Sequence, residues 1–177
     1  MATVNSYTEL VPTPDRTSLD EIVTAARELL EQESLTMQAV AERVGVQAPS
    51  LYKRVRSRDE LVRLVVEATL TDISLIEGDL FAVARAFRAF AHQRPAAFRL
   101  VMASTLDPAL AAVASEPILR AASSLAGQQN ALVAARTFTA WANGFIGMEL
   151  SGGFNLDGSV EEAWDYGLER LVAAISR

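Results

Sequence analysis

Gln47, Ala48, Ser50, Tyr52, Lys53 and Arg54 stand close together in the chain. These side chains suit the surface of a nucleic acid. Gln and Ser can hydrogen-bond base edges, small residues permit close approach to a major groove, and Tyr, Lys and Arg can hold phosphates. The charge around them is uneven. Between Arg43 and Arg63 lie Arg43, Lys53, Arg54, Arg56, Arg58 and Arg63 against only Asp59 and Glu60, in a chain whose formal net charge is −6. From Glu67 onward 12 acids outnumber 8 arginines. A basic island on an acidic chain can be the footprint of a polyanion. It can also be a solvated helical face, so the island needs a motif beneath it.

The elements that must position these residues are helices. Ser18-Leu19-Asp20-Glu21 reads as a capping box, opening a helix whose Leu19, Ile22, Val23, Ala26, Leu29 and Leu30 share one face. Thr36 caps a second helix, Met37 to Val44, and Gly45 follows as the residue that can take a positive φ. Pro49 fits the first turn of a third helix, expected to run to about Val55 with Leu51 and Val55 buried. Ser57 and Glu60 read as a second capping box, opening a fourth helix that continues beyond Leu70. The helix–glycine–helix passage from Thr36 to Val55 has the anatomy of a helix-turn-helix.

The remainder is also helical in pattern. Segments run from Asp79 to Gln93, from Pro95, from Asp107-Pro108, from a restart at Glu116-Pro117 to Gly127, from Gln129 to Leu150, and from Ser159 to the end. With 9 Gly and 6 Pro in 177 residues, the fold class is all-α. Residues 1–16, with Pro12 and Pro14 and no helical period, read as a mobile tail.

Several chemistries are excluded or unsupported. Cys is absent, which removes disulfides, thiolate metal sites and a cysteine nucleophile. His92 is the single histidine, so no two-imidazole metal site forms within one chain, and nothing near it resembles a nucleophile turn. Glu161, Asp165 and Glu169 share a helical face and read as solvated. No cofactor, metal or catalytic residue is expected. The longest charge-free stretch, 15 residues between Arg120 and Arg136, is too short to span a bilayer. The N-terminus lacks the basic start and apolar core of a signal peptide, so a cytoplasmic location is expected.

Residues 22–64 resemble the DNA-binding domain of the TetR family of bacterial regulators. The resemblance is carried by Ala41-Glu42-Arg43-Val44-Gly45-Val46, by Ser50-Leu51-Tyr52-Lys53-Arg54-Val55 and by Ser57-Arg58-Asp59-Glu60-Leu61. It implies phosphate contacts from Thr36, Tyr52, Lys53 and Arg58, and base-edge contacts from Gln38, Gln47, Ala48, Pro49 and Ser50. Arg54 replaces the family's usual His and reads as another phosphate contact. Arg58 replaces the usual Lys, and Val55 a common aromatic. Tyr52 has an alternative reading as a half-buried packing residue.

The family joins such a head to a helical body that dimerises and binds a small effector. The body here fits independently. Phe138, Trp141, Phe145 and Met148 form one stripe of the long helix, and Ala140, Gly144, Gly147 and Ser151 a small-residue stripe beside it. A helix apolar over so much of its perimeter buries two sides, one in its own core and one against a partner. The last two helices of each copy are therefore expected to form a four-helix homodimer interface. The run from Phe90 to Met102, with Trp141-Ala142-Asn143-Gly144, resembles a TetR subgroup whose body carries a Trp…His-Gly phrase; Asn143 stands where that His is expected. Candidate effector-lining residues are Phe87, Phe98, Met102, Phe138, Trp141, Phe145 and Met148, for which plain core packing is the alternative.

The expected organisation is a head over 17–66 and a body over 67–177. The expected function is a homodimeric repressor on a palindromic operator in double-stranded DNA, released by a small, apolar effector. The rival is a helical small-molecule-binding protein or enzyme whose first bundle is only structural.

Overall fold

Short polar side chains open most of the helices. In this computed structural model, which describes residues 17–176, Ser18, Thr36, Ser57, Asp79, Asp107 and Ser159 each accept a backbone N–H from the first turn that follows. Each such cap contributes about 1 kcal/mol. The tail over residues 1–16 lies outside the described residues. The helices so opened are α1 (Leu19–Glu31), α2 (Met37–Arg43), α4 (Arg58–Ser74), α5 (Leu80–Gln93), α7 (Pro108–Ala126) and α9 (Val160–Ile175). Between them lie α3 (Ala48–Tyr52), α6 (Pro95–Ala103) and α8 (Ala131–Leu150). The described residues contain no strand, so the all-α expectation holds.

Three local expectations need correction. At Ser57 only half a capping box forms. The Glu60 N–H donates to Ser57 Oγ at 3.1 Å, but the Glu60 carboxylate reaches one residue further back and accepts from the Arg56 N–H at 2.7 Å. At Ser18 both halves are present, at 3.1 and 2.7 Å. Helix α3 ends at Tyr52 rather than near Val55, because the N–H groups of both Arg54 and Val55 converge on the Leu51 carbonyl at 2.9 Å. Val55 is still fully buried. Finally, no helix restarts at Glu116-Pro117. Helix α7 runs through Pro117, which is buried in it. The ring forfeits one backbone hydrogen bond, but Ala111, Ala112, Ala114, Ala121 and Ala122 favour helix on both sides.

Ile22, Ala26, Leu29, Val40, Ala41, Leu51, Val55, Leu61 and Val65 close the core of the head. Phe138, Ala142, Ile146, Trp164 and Leu168 centre the core of the body. Helix α4 belongs to both halves. Leu61 and Val65 pack in the head, whereas Val66 and Leu70 pack with Val101 of α6. The boundary drawn at 66/67 therefore falls inside one continuous helix.

Candidate nucleic-acid interface and ligand cavity

The turn between α2 and α3 is built by hydrogen bonds that only a left-handed residue allows. The Val46 N–H reaches the Ala41 carbonyl at 2.9 Å and the Gly45 N–H reaches that of Glu42 at 3.2 Å. Gly45 sits at φ +73°. This is a Schellman closure, and Gly at its left-handed position costs no Cβ strain. The bend turns Leu51 and Val55 inward, both at 0% exposure. The other side of the segment faces out.

Gln47, Pro49, Lys53, Arg54 and Arg58 are exposed, Ala48 and Ser50 are half-buried, and Tyr52 is 48% exposed. Tyr52 is thus not sealed in the head core. Thr36 and Gln38 are exposed at the start of α2. Thr36 Oγ1 accepts from the Ala39 N–H at 3.0 Å, and Gln38 Nε2 donates to Glu42 at 2.7 Å. All ten are exposed or half-buried, on or beside α2 and α3 and at the start of α4. The basic island is smaller in space than in sequence. Arg43 donates to Glu28 at 2.7 Å and to Gln32 at 3.3 Å, and Arg63 pairs with Glu67.

A cavity of about 190 Å³ lies in the body among α4, α5, α6, α7 and α8. Of the seven expected residues, Phe87, Met102 and Phe138 line it. Phe98 does not; it is buried beside Phe87, ring centres 5.8 Å apart. Trp141 and Phe145 turn toward α9 instead, with ring centres 4.7 and 5.2 Å from Trp164. Met148 is exposed.

Helical geometry explains the difference. At about 100° per residue, Trp141, Phe145 and Met148 lie about a third of a turn from the face carrying Phe138, Thr139, Ala142 and Asn143, which is the face lining the cavity. Sequence reasoning missed Leu70, Ile73, Ala142 and Ala114 as lining residues. The available signal was small residues on apolar faces, where an Ala opposite larger neighbours leaves volume.

Two features connect the cavity to the head. Helix α4 begins at Arg58, on the basic surface, and supplies Leu70 and Ile73 to the cavity wall. Helix α6 supplies Val101 and Met102. Its N-terminus is held by Glu31 of α1, whose carboxylate accepts from the Ala96 and Ala97 N–H groups, each at 2.9 Å. A negative charge is favourable at that end of a helix. An Arg27–Asp72 pair joins α1 to α4.

Away from the cavity, Arg88 pins three helices. Its guanidinium donates twice to Glu149, at 2.6 and 3.0 Å, and once to Glu161 at 2.6 Å, and it lies 5.0 Å from the centre of the Trp164 ring. His92 Nε2 is 2.9 Å from Glu149. The hydrogen bond from Arg88 holds the Glu149 carboxyl below its ordinary range, against the opposing cost of burial. The same pairing raises Arg88. Asp165 faces Arg85 at 3.7 Å. Among the described residues no group of three or more His, Asp or Glu gathers as a metal site. No helix there is long and apolar enough to cross a membrane.

An outward helix-turn-helix on a helical body with its own cavity defines a class: helical transcription regulators with a separate ligand-binding body. The comparisons identify the family. The description "Bacterial regulatory proteins, tetR family" matches residues 22–65, and "Tetracyclin repressor-like, C-terminal domain" matches residues 80–171. An uncharacterised HTH-type transcriptional regulator of Mycobacterium tuberculosis is 31% identical over 163 residues, covering 80% of this chain and 74% of its own.

Solved structures agree in fold. A TetR-type transcriptional regulator of Streptomyces coelicolor aligns with TM-score 0.74 at 18% identity, over 90% of this chain and 98% of that one. A TetR variant from Acinetobacter baumannii AYE in complex with minocycline aligns with TM-score 0.68 at 23% identity, over 92% and 98%. The chain belongs to the TetR family of bacterial transcriptional regulators, a class of DNA-binding, ligand-responsive proteins that are generally repressors. It is a regulator and not an enzyme, so the rival reading, a small-molecule-binding protein or enzyme whose first bundle is only structural, falls away.

Proposed function

We propose that the protein is a homodimeric repressor that places its two α3 helices in successive major grooves of a palindromic operator and is released by a small, apolar effector. The observation that carries the reading is the outward set of α3: Leu51 and Val55 anchor the segment while Gln47, Pro49, Tyr52, Lys53 and Arg54 remain exposed. Gln38, Gln47, Ala48, Pro49 and Ser50 read base edges; Thr36, Tyr52, Lys53, Arg54 and Arg58 hold phosphates.

Dimerisation through α8 and α9 is supported by their outer faces. Val133 of α8 is 66% exposed and Tyr166 of α9 63%, so each helix leaves a large apolar side chain uncovered by its own chain. A methyl group built on Gly144 or Gly147 meets no atom within 4 Å. Packing within one chain therefore gives no reason for either glycine, although each costs about 1 kcal/mol of helix stability relative to Ala. Close approach of a second chain supplies a reason.

The effector acts through the two connections between cavity and head. A ligand wedged against Leu70, Ile73 and Met102 biases where α4 and α6 sit, and with them the spacing of the paired heads. Moving an equilibrium from 1:99 to 99:1 takes a difference of about 5.5 kcal/mol in affinity for the two states.

Selection from random duplexes tests the reading, with sedimentation of the complex. It predicts two inverted half-sites about 10–10.5 base pairs apart, or a multiple of that, and two protein chains per site. A single half-site bound by one chain overturns it.

A further inference from the structure

We propose that Arg56, in the connection between α3 and α4, is a further phosphate contact of the head, one that the family resemblance does not supply. The inference rests on the reading of α3 as the duplex-facing helix and extends its footprint along the chain.

Burial puts Arg56 in solvent. Val55 is fully buried and anchors the connection against the head core, whereas Arg56, the next residue, is exposed. Position then gives the partner. Arg56 stands two residues from Arg54 and two from Arg58, both read as phosphate contacts. Its Cα lies within about 7 Å of each of theirs, a separation that an arginine side chain can cover. From Arg54 to Arg58 the chain spans at most about 14 Å, while one DNA strand carries a phosphate about every 3.4 Å of axis. A third guanidinium on so short a span is matched by phosphates between the other two contacts.

Availability separates Arg56 from the rest of the basic island. Arg43 is engaged by Glu28 and Gln32, and Arg63 by Glu67. Among the described residues the Arg56 guanidinium has no hydrogen bond or ion pair, although Asp59 and Glu60 follow closely. The Glu60 carboxylate takes the Arg56 main chain instead. It accepts the Arg56 N–H at 2.7 Å, while Ser57 Oγ accepts the Glu60 N–H at 3.1 Å. The departure from a full capping box at Ser57 therefore has a use: it fixes the backbone at Arg56 without pairing the guanidinium. A planar fork of donors on a held backbone suits a phosphate, and the prior ordering lowers the entropy lost on binding.

The test measures affinity of the full-length protein for mixed-sequence duplex DNA across a range of salt concentrations. The native protein is compared with Arg56→Gln, with Arg56→Lys, and with Arg63→Gln as a control of equal charge change. Arg56→Gln should make the log–log slope shallower by about 0.9 for each head engaged. Arg56→Lys, which keeps the charge, should restore the native slope, and Arg63→Gln should leave it unchanged. Arg56 is exposed, so melting temperatures should stay close to native. If Arg56→Gln melts early, Arg56→Ala gives the same comparison.

An unchanged slope in Arg56→Gln, beside a shallower one in Lys53→Ala, overturns the proposal and leaves the reading of α3 standing. Equal flattening by Arg56→Gln and Arg63→Gln reports net charge rather than a contact and also overturns it. A native slope near zero overturns the proposal together with the reading beneath it.

Discussion

The α2–α3 turn and the α5–α8 cavity are built by opposite means. In the head, two buried anchors and one left-handed glycine hold a short helix so that its polar side chains face out. In the body, the candidate site is a gap, walled by Phe87, Phe138 and Val101, which are chemically the same as the core around them. The head displays surplus chemistry, since Lys53 and Gln47 contribute nothing visible to packing. The body displays a deficit of volume, around small residues such as Ala142 and Ala114. A surface that binds a polyanion has to look unlike a core, whereas a pocket for an apolar ligand has to look like one.

Three substitutions sharpen or break that contrast, ordered by expected effect. Leu51→Ala removes a fully buried anchor and should cost about 2–5 kcal/mol in denaturant unfolding, with loss of duplex binding. A loss under about 1 kcal/mol would mean that the outward set of α3 does not depend on this anchor.

Glu149→Gln tests the body's own clamp. The Arg88 and Glu149 side chains are each only 13% exposed. Hydrogen bonds to charged groups of this kind contribute roughly 1.5–3 kcal/mol. Because Arg88 depresses the folded-state pKa of Glu149, its stabilisation is complete above the ordinary carboxylate range and is lost as pH falls below it, through the depressed value. Melting temperature against pH should therefore fall less steeply in acid for Glu149→Gln than for the native protein. Parallel curves would remove Glu149 from the account.

Gly167→Ala probes the α8–α9 contact. An added Cβ would stand 2.6 Å from Trp141 Cζ2, and overpacking of this kind costs about 1–3 kcal/mol. The variant should melt earlier, with its near-ultraviolet tryptophan signal altered, while its DNA affinity at low temperature is unchanged.

The same contrast decides how much was legible in the sequence. Caps at Ser18 and Thr36, and the bend at Gly45, were readable because each is a local rule satisfied within a few residues. Pro117 misled because a local rule was overridden by its helix-forming surroundings. That Leu51 and Val55 turn inward while Gln47, Tyr52, Lys53 and Arg54 face out was readable from residue type and spacing. The aromatic stripe on α8 was correctly seen as apolar, but its period cannot say which of several neighbours it meets. Trp141 and Phe145 meet Trp164, and Phe138 alone of that stripe meets the cavity. Asn143 stood out in the sequence as a departure from the subgroup's phrase; its unpartnered oxygen is a property of three dimensions. The Glu31 clamp on α6 joins residues far apart in the chain and had no local signature.

The central claim is that the exposed side of α3 meets the phosphates of a duplex. Affinity for mixed-sequence duplex DNA, measured across a range of salt concentrations for the native protein and for Lys53→Ala, tests it directly. Lys53 is exposed, so the substitution should leave the melting temperature nearly unchanged. The account predicts steep weakening with salt in the native protein, and a log–log slope shallower by about 0.9 in the variant. A native slope near zero, or identical slopes for the two proteins, would contradict it.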